Sequence, residues 1–396
     1  MFSSELIIMK HHTIGAFAVL MLAAGAAASA QTRATVIPSV SMGAVYDDNV
    51  SARAQGDAGQ MLQLRPSLEA DVETPRLTLV SLWTFDMQRS NHSALNALDA
   101  RRHAMVDAKF RSSSLTTWAL AGRYDRTDTP GEIDFEAGVF TDRRFAQRFQ
   151  VAPSVARRYG EKTTVTALYD WTAENLINDS HVNLHVARTN VSRLLSTRSS
   201  INAGYLGRLF TDDSSEHQSH AMLMGWTRQL AQFTTFNVQA GPRWTTYRGL
   251  VPEVSVSLGR DGRTVKAGLD YSHGETIILG VAGPVQIDTG SARLTVAATR
   301  KIELGVRAGA SHILTLDERA ATVYRTTLVG SWSIGGPFTL ATSYSADYQL
   351  GDIRRNLFRD ERVLRHVVRV GVTVAPSFSR SFLPPDEAAR AKGVSR

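Results

Sequence analysis

The chain has 396 residues, no cysteine and a formal net charge of +7 from 44 Lys and Arg against 37 Asp and Glu. Without cysteine there is no disulfide scaffold, no thiolate metal site and no cysteine nucleophile, and such a chain fits an oxidising compartment where a free thiol is a liability. The charge suits an anionic partner such as lipopolysaccharide or an acidic polymer, but the basic residues are scattered rather than gathered in a patch, so no nucleic-acid partner is expected.

The first element is a targeting segment. "MKHHTIGAFAVLMLAAGAAASAQ" (9–31) carries Lys10, His11 and His12 as a basic head, an apolar run from Ile14 to Ala24, and Ala28-Ser29-Ala30 as a small-x-small cleavage site before Gln31. Residues 1–30 are read as a secretory signal peptide. Beyond it there is no run of about 18 apolar residues, so no transmembrane helix is expected. The mature chain is then either soluble and secreted or a closed barrel, the other structure that can span a bilayer.

Next comes "GAVYDDNVSARAQGDAGQ" (43–60), a strand running into Tyr46, Asp47, Asp48 and Asn49. Paired carboxylates with loop carbonyls can hold calcium. Asp and Asn at a strand end more often make turns and accept their own backbone N–H groups, and turn and loop anchoring is the preferred reading.

From residue 62 onward the chain alternates. In "LQLRPSLEADV" (62–72) Leu62, Leu64, Leu68 and Val72 oppose Gln63, Arg65, Glu69 and Asp71, the period of a strand lying between oil and water. The same pattern recurs at 264–272, 302–311 and 338–348. Short connections near 74, 112, 160, 196, 230, 259, 299 and 335 alternate with longer polar ones at 126–148, 212–219, 274–286 and 349–363. Strict short-long alternation predicts an all-β, transmembrane, antiparallel up-and-down β-barrel of about 18 strands, with 16 possible, occupying residues 31–376 and followed by a periplasmic C-terminal tail at 377–396. A barrel of this size is wide enough for an aqueous lumen.

The polar faces of these strands carry Arg65, Glu69, Asp71, Asp86, Arg123, Asp170, Lys266, Asp270, Arg293, Arg307, Arg325, Arg365 and Arg369. Charges lining a pore set its solute preference, and these are the candidate pore-lining residues; cross-strand pairing that stiffens the wall is compatible with that role. The arginines of the last third predict a mild preference for anionic solutes or polymer. Trp83, Trp118, Trp171, Trp226, Trp332, Tyr124, Tyr169, Tyr344 and Tyr348 fall on the apolar faces, as girdle residues at a lipid interface do.

No catalytic residue, cofactor or metal site is assigned. "DSSEHQSH" (213–220) places Ser, Glu, His217 and His220 together, and His92 and His181 lie beside expected loops, but no spacing selects a nucleophile and its base. An enzyme is not expected, and an outer-membrane hydrolase is the least favoured alternative.

Tyr46, Asp48, Asn49 and Val50 closing the first strand, followed by Pro66 with Leu68 and Leu77 with Leu79 across a tight turn, resemble the outer-membrane β-barrel porins associated with exopolysaccharide secretion loci. The match covers about the first 60 mature residues. The resemblance implies an outer-membrane location reached through the periplasm, contact with lipid and lipopolysaccharide, and a pore for solutes or an aid to exopolysaccharide export together with export machinery; it supplies no catalytic residues. The alternative is a non-conducting structural or adhesion barrel whose lumen is plugged, with 126–148 as the plug. One departure is the polar stretch after "VVRVGVTVAPSF", where barrels of this kind end on an aromatic residue.

Overall fold

The computed structural model describes residues 33–53, 56–128, 145–177, 180–213, 215–278, 281, 283–351, 353, 362–376 and 378–380. The expected signal peptide, most of the expected tail and most of the 126–148 connection lie outside the described residues. The strands are β1 (Arg33–Asp47), β2 (Gly59–Glu73), β3 (Leu77–Ser90), β4 (Ala97–Arg111), β5 (Thr116–Thr127), β6 (Ala146–Tyr159), β7 (Thr163–Leu176), β8 (Ser180–Ser196), β9 (Ser199–Asp212), β10 (Glu216–Ala231), β11 (Thr234–Thr245), β12 (Gly249–Asp261), β13 (Val265–Thr276), β14 (Val285–Ala297), β15 (Ile302–Leu314), β16 (Ala320–Gly335), β17 (Phe338–Leu350), β18 (Arg362–Val374) and the short β19 (Phe378–Arg380).

Each strand pairs antiparallel with the next, and β1 pairs with both β2 and β18, from Val40↔Val374 to Asp47↔Val367. The sheet therefore closes on itself as an 18-strand barrel, and closure removes the unpaired edges that a sheet in hydrocarbon cannot leave bare. The long strands run from 12 to 17 residues, more than the roughly 9–11 that cross a bilayer at a tilt. No helix among the described residues is long and apolar enough to cross a membrane.

The alternation fixes the two faces. Met42, Leu62, Leu68, Trp83, Leu120, Leu269, Leu328 and Val370 are exposed although large and apolar, and the registers put them on one face of the closed sheet. In water such a belt would be unstable; against lipid it is the favourable surface. Trp83, Trp118, Trp171, Trp226, Trp332, Tyr124, Tyr169, Tyr344 and Tyr348 share the parity of that outer face. Some rings satisfy their polar tips locally: Tyr169, Tyr205 and Tyr344 share hydrogen bonds of 2.7, 2.6 and 2.8 Å with Nδ1 of His185, His220 and His366 on the neighbouring strands.

Two expected boundaries move. The tail expected from 377 begins by continuing the barrel, since Phe378, Ser379 and Arg380 pair with Val36, Thr35 and Ala34. The reason is geometric: β18 covers β1 only down to Val40, leaving the start of β1 with an open edge that β19 occupies. The long connection expected at 212–219 shrinks to 213–215, because Glu216, His217 and Gln218 enter the β10 ladder opposite Thr211, Phe210 and Leu209. A polar stretch can be a strand when one of its faces meets a polar lumen.

The connections after even-numbered strands, none longer than four residues, lie at one end, and those after odd-numbered strands, which include all the long ones, lie at the other. At the long-connection end, the segment after β13 folds inward. Ile277 packs with Val182 and Phe210 of β8 and β9, whereas Ile278 and Val281 join Val285, Ile287, Ile313, Val323 and Ile353. That segment thus leaves β13 and meets the inner wall on both sides of its own origin, narrowing the mouth.

Candidate pore lining and mouth

Arg65, Glu69, Asp71, Asp86, Arg123, Asp170, Lys266, Asp270, Arg293, Arg307, Arg325, Arg365 and Arg369 all share the parity opposite to the apolar belt, on the inner face. They divide by what surrounds them. Arg65 forms a bidentate pair with Asp86 at 2.6 and 2.7 Å, and Arg101 adds a longer contact to Asp86 at 3.8 Å. Arg325 donates to Asp347 at 2.7 Å, and Gln150 donates to Asp170 at 2.6 Å. By contrast Arg123, Lys266, Arg293 and Arg307 are exposed to the lumen. Arg293 and Arg307 stand directly opposite one another across β14 and β15, with Asp270 3.8 Å from Arg293.

The last-third arginines fall on both sides of this division. Arg325 and Arg365 are held in ion pairs with Asp347 and Asp47, so their field is largely cancelled at the wall. The cations exposed to the lumen on β13–β15 are Lys266, Arg293 and Arg307, with Asp261 and Asp270 3.8 Å from the first two.

Tyr46, Asp47, Asp48 and Asn49 form the clasp of the seam. Asp47 is fully buried and receives Nη2 of Arg365 on β18 at 2.6 Å and Nε at 3.0 Å. Asp48 accepts the backbone N–H of His366 at 2.6 Å. Asn49 donates its amide to the carbonyls of Arg53 and Leu364 at 2.7 and 2.9 Å, and its own N–H meets Asp47 Oδ1 at 3.1 Å. Tyr46 has the outward parity and is exposed. Both carboxylates are thus engaged by groups of the last strand, and the described residues contain no cluster of metal-binding side chains.

A second set of inner-wall charges lacks any counterpart in the sequence-based reading. Arg208 on β9 makes a bidentate pair with Glu253 on β12 at 2.6 and 2.9 Å, although β10 and β11 lie between. The reach is possible because the intervening inward positions include Ala221 and Gly241. Gly241 has no room for a side chain: a Cβ there would stand 1.8 Å from the carbonyl oxygen of Met222. Arg243, buried beside them, contacts Glu253 at 3.4 Å. Arg148 pairs with the buried Glu174 across β6 and β7. The signal that would have found them is the same alternation, since Asp170 and Glu174 are four apart and share a face.

The mouth has its own polar lock. Arg248, in the connection after β11, donates to Gln286 Oε1 at 2.7 Å and to the carbonyl of Thr315 at 3.0 Å. Tyr247 donates its hydroxyl to Glu275 and meets the His217 ring edge-on at 5.8 Å. Burial first, then the Glu275 carboxylate, pushes the Tyr247 phenol above its ordinary value of 10.0, so it stays a donor.

The loop histidines of the sequence reading and Ser215 have other partners. Ser215 bonds Asp212 at 2.7 Å, His220 faces outward against Tyr205, and His92 contacts the Ala58 carbonyl at 2.9 Å. His273 and Asp288 do meet, at 2.7 Å on the outer face, but the other ring nitrogen faces Gln286.

No protein-family model matches the sequence, and a search of curated proteins finds no relative. Among solved structures, the chain is similar to Pseudomonas aeruginosa OpdQ, at 11% identity over 87% of this chain and 99% of that one, with a TM-score of 0.47. It is also similar to Acinetobacter baumannii OccAB4, at 8% identity over 88% and 99% with a TM-score of 0.48. A third is the outer membrane protein opdK from Pseudomonas aeruginosa, at 12% identity over 87% and 99% with a TM-score of 0.46. At these values the likeness carries no argument about solute or mechanism, and the barrel and its wall rest on the strand pairing and burial described above.

Proposed function

We propose that the chain forms a water-filled pore for small solutes in a bacterial outer membrane, with its short turns in the periplasm and its longer connections outside. The observation that carries this is the pairing of an apolar outer belt with an inner wall of charged residues in one closed barrel. An outer face of exposed leucine and valine calls for lipid, and an inner face of arginine and aspartate calls for water. The lumen-exposed cations Lys266, Arg293 and Arg307 favour anionic solutes.

Planar-bilayer recording of the refolded mature chain tests the reading. Stepwise conductance with weak anion selectivity is expected; a bilayer that stays silent after verified insertion would remove the pore. A second reading, a non-conducting structural or adhesion barrel, is favoured by the inward-folded segment with Ile277 and Ile278 across the mouth, and the same recording separates the two. The finer expectation of exopolysaccharide export rests on the motif of the first strands alone. Addition of a uronic polysaccharide to a conducting channel tests it, and block is the supporting outcome.

A further inference from the structure

The outer face is not uniform at the short-turn end. Arg157, Arg193, Arg228 and Arg260 stand near its turnward end on β6, β8, β10 and β12, followed on the first three by the exposed Tyr159, Leu195 and Leu230, and all four arginines are exposed. Their outward parity follows from the registers Arg157↔Thr116, Arg193↔Ile201, Arg228↔Phe236 and Arg260↔Ala267. At the same level β14, β16, β18, β2 and β4 carry Val296, Trp332, Val372, Val72 and Phe110. Alternate strands of a sheet lie about 9–10 Å apart, so the four guanidiniums form a half-collar with roughly the spacing of neighbouring lipid headgroups. Among the described residues no carboxylate pairs with any of them; Arg157 and Arg228 lie over the rings of Tyr159 and Trp226 at 5.2 and 5.8 Å.

A groove of about 510 Å³ runs from the end of this collar into the apolar belt. Arg260 stands at its turnward head, Leu258, Leu269 and Leu294 form its ridges, and Ala267 and Ala292 give it depth. A smaller hollow of about 390 Å³ on the same arc is lined by Arg198, Arg228 and Ser199. A cation heading an apolar trough that points into the bilayer matches one ligand chemistry, a phosphate diester carrying acyl chains.

We propose that the β6–β13 arc binds anionic phospholipid of the periplasmic leaflet, with the phosphate at Arg260 and an acyl chain along Leu258, Leu269 and Leu294. The inference rests on the membrane orientation given above but not on conduction, so a silent channel would leave it standing. The groove is shallow and laterally open, as an annular lipid site must be for its occupant to arrive from the bilayer.

The test is native mass spectrometry of the full mature chain released from nanodiscs holding equimolar phosphatidylglycerol and phosphatidylethanolamine. The expected result is preferential retention of phosphatidylglycerol. Arg260→Gln should lower that preference about five-fold, the share of one arginine at an anionic lipid surface. Ala292→Trp, which fills the groove and leaves Arg260, should lower retention of both lipids. Equal retention of the two lipids by the unaltered chain overturns the proposal without any variant. So does displacement of phosphatidylglycerol by equimolar glycerol phosphate, which has the charge but no chains and would make the site a soluble-anion site.

Discussion

Asp47 and Arg365 join the first strand of the barrel to the last, with the carboxylate fully buried and the guanidinium donating through both Nη2 and Nε. Arg365 also stands directly opposite Asp347, which is paired with Arg325. The seam is therefore closed by a run of alternating charges crossing β16, β17, β18 and β1. Removing one member of a buried pair leaves its partner uncompensated, a loss of about 3–5 kcal/mol. Asp47→Ala should lower the denaturant midpoint of the folded barrel in detergent, read by the gel shift between folded and heated forms. Asp47→Ala with Arg365→Ala together should cost less than the sum of the two single changes; simple additivity would mean that the pair does not hold the seam.

Arg293 and Arg307 face the lumen, whereas Arg325 and Arg365 are neutralised in the wall. Arg293→Glu with Arg307→Glu should move the reversal potential under a salt gradient toward cation selectivity with little change in stability. Arg325→Gln should do the opposite, destabilising the barrel while leaving selectivity close to its starting value. If Arg325→Gln shifted selectivity as far as the double change, pairing would not be what silences a wall charge here.

The segment carrying Ile277, Ile278 and Val281 occupies the mouth through apolar contacts. Ile278→Asp places an unpaired charge in that packing and should release the segment. Single-channel conductance is expected to rise, with the folded gel mobility retained. An unchanged conductance would locate the narrowest point elsewhere.

Gly241 lies where the β10 and β11 backbones crowd, and a Cβ there meets the Met222 carbonyl oxygen. Gly241→Ala must push the strands apart, which disturbs the floor beneath the Arg208–Glu253 bridge. Reduced yield of folded barrel is expected, and normal refolding of Gly241→Ala would show that the ladder relaxes freely there.

Tyr247 titrates above its ordinary value of 10.0 because it is buried beside Glu275. The folded state thus holds this proton more tightly than the unfolded state does. The resulting stability is fully present below pH 10 and is lost as pH rises through the folded value. Alkaline unfolding of Tyr247→Phe should show a weaker pH dependence above pH 10, with Tyr271→Phe, on the outer wall, as a comparison. Parallel curves for Tyr247→Phe and the unaltered chain would remove Tyr247 from the mouth's lock.

The alternation that a lipid–water boundary imposes is local, so the sequence by itself determined the barrel class and the inward face of Arg65, Glu69, Arg293 and Arg307, whereas the choice of 18 strands over 16 came from the strand pairing. It also placed Trp83, Trp118 and Trp332 outward, because neighbouring residues in a strand must point to opposite sides. Polar stretches misled it where the lumen, rather than a loop, supplied the polar surroundings, as at His217 and Ser219, which point inward from β10. Contacts between strands distant in sequence have no local signal. Asp47 with Arg365, Arg208 with Glu253, and Ile277 with Phe210 depend on ring closure and on inward folding, so the tertiary structure alone decided them. That closure made the aspartates of "YDDN", which the sequence reads as turn and loop anchors, the clasp of a seam.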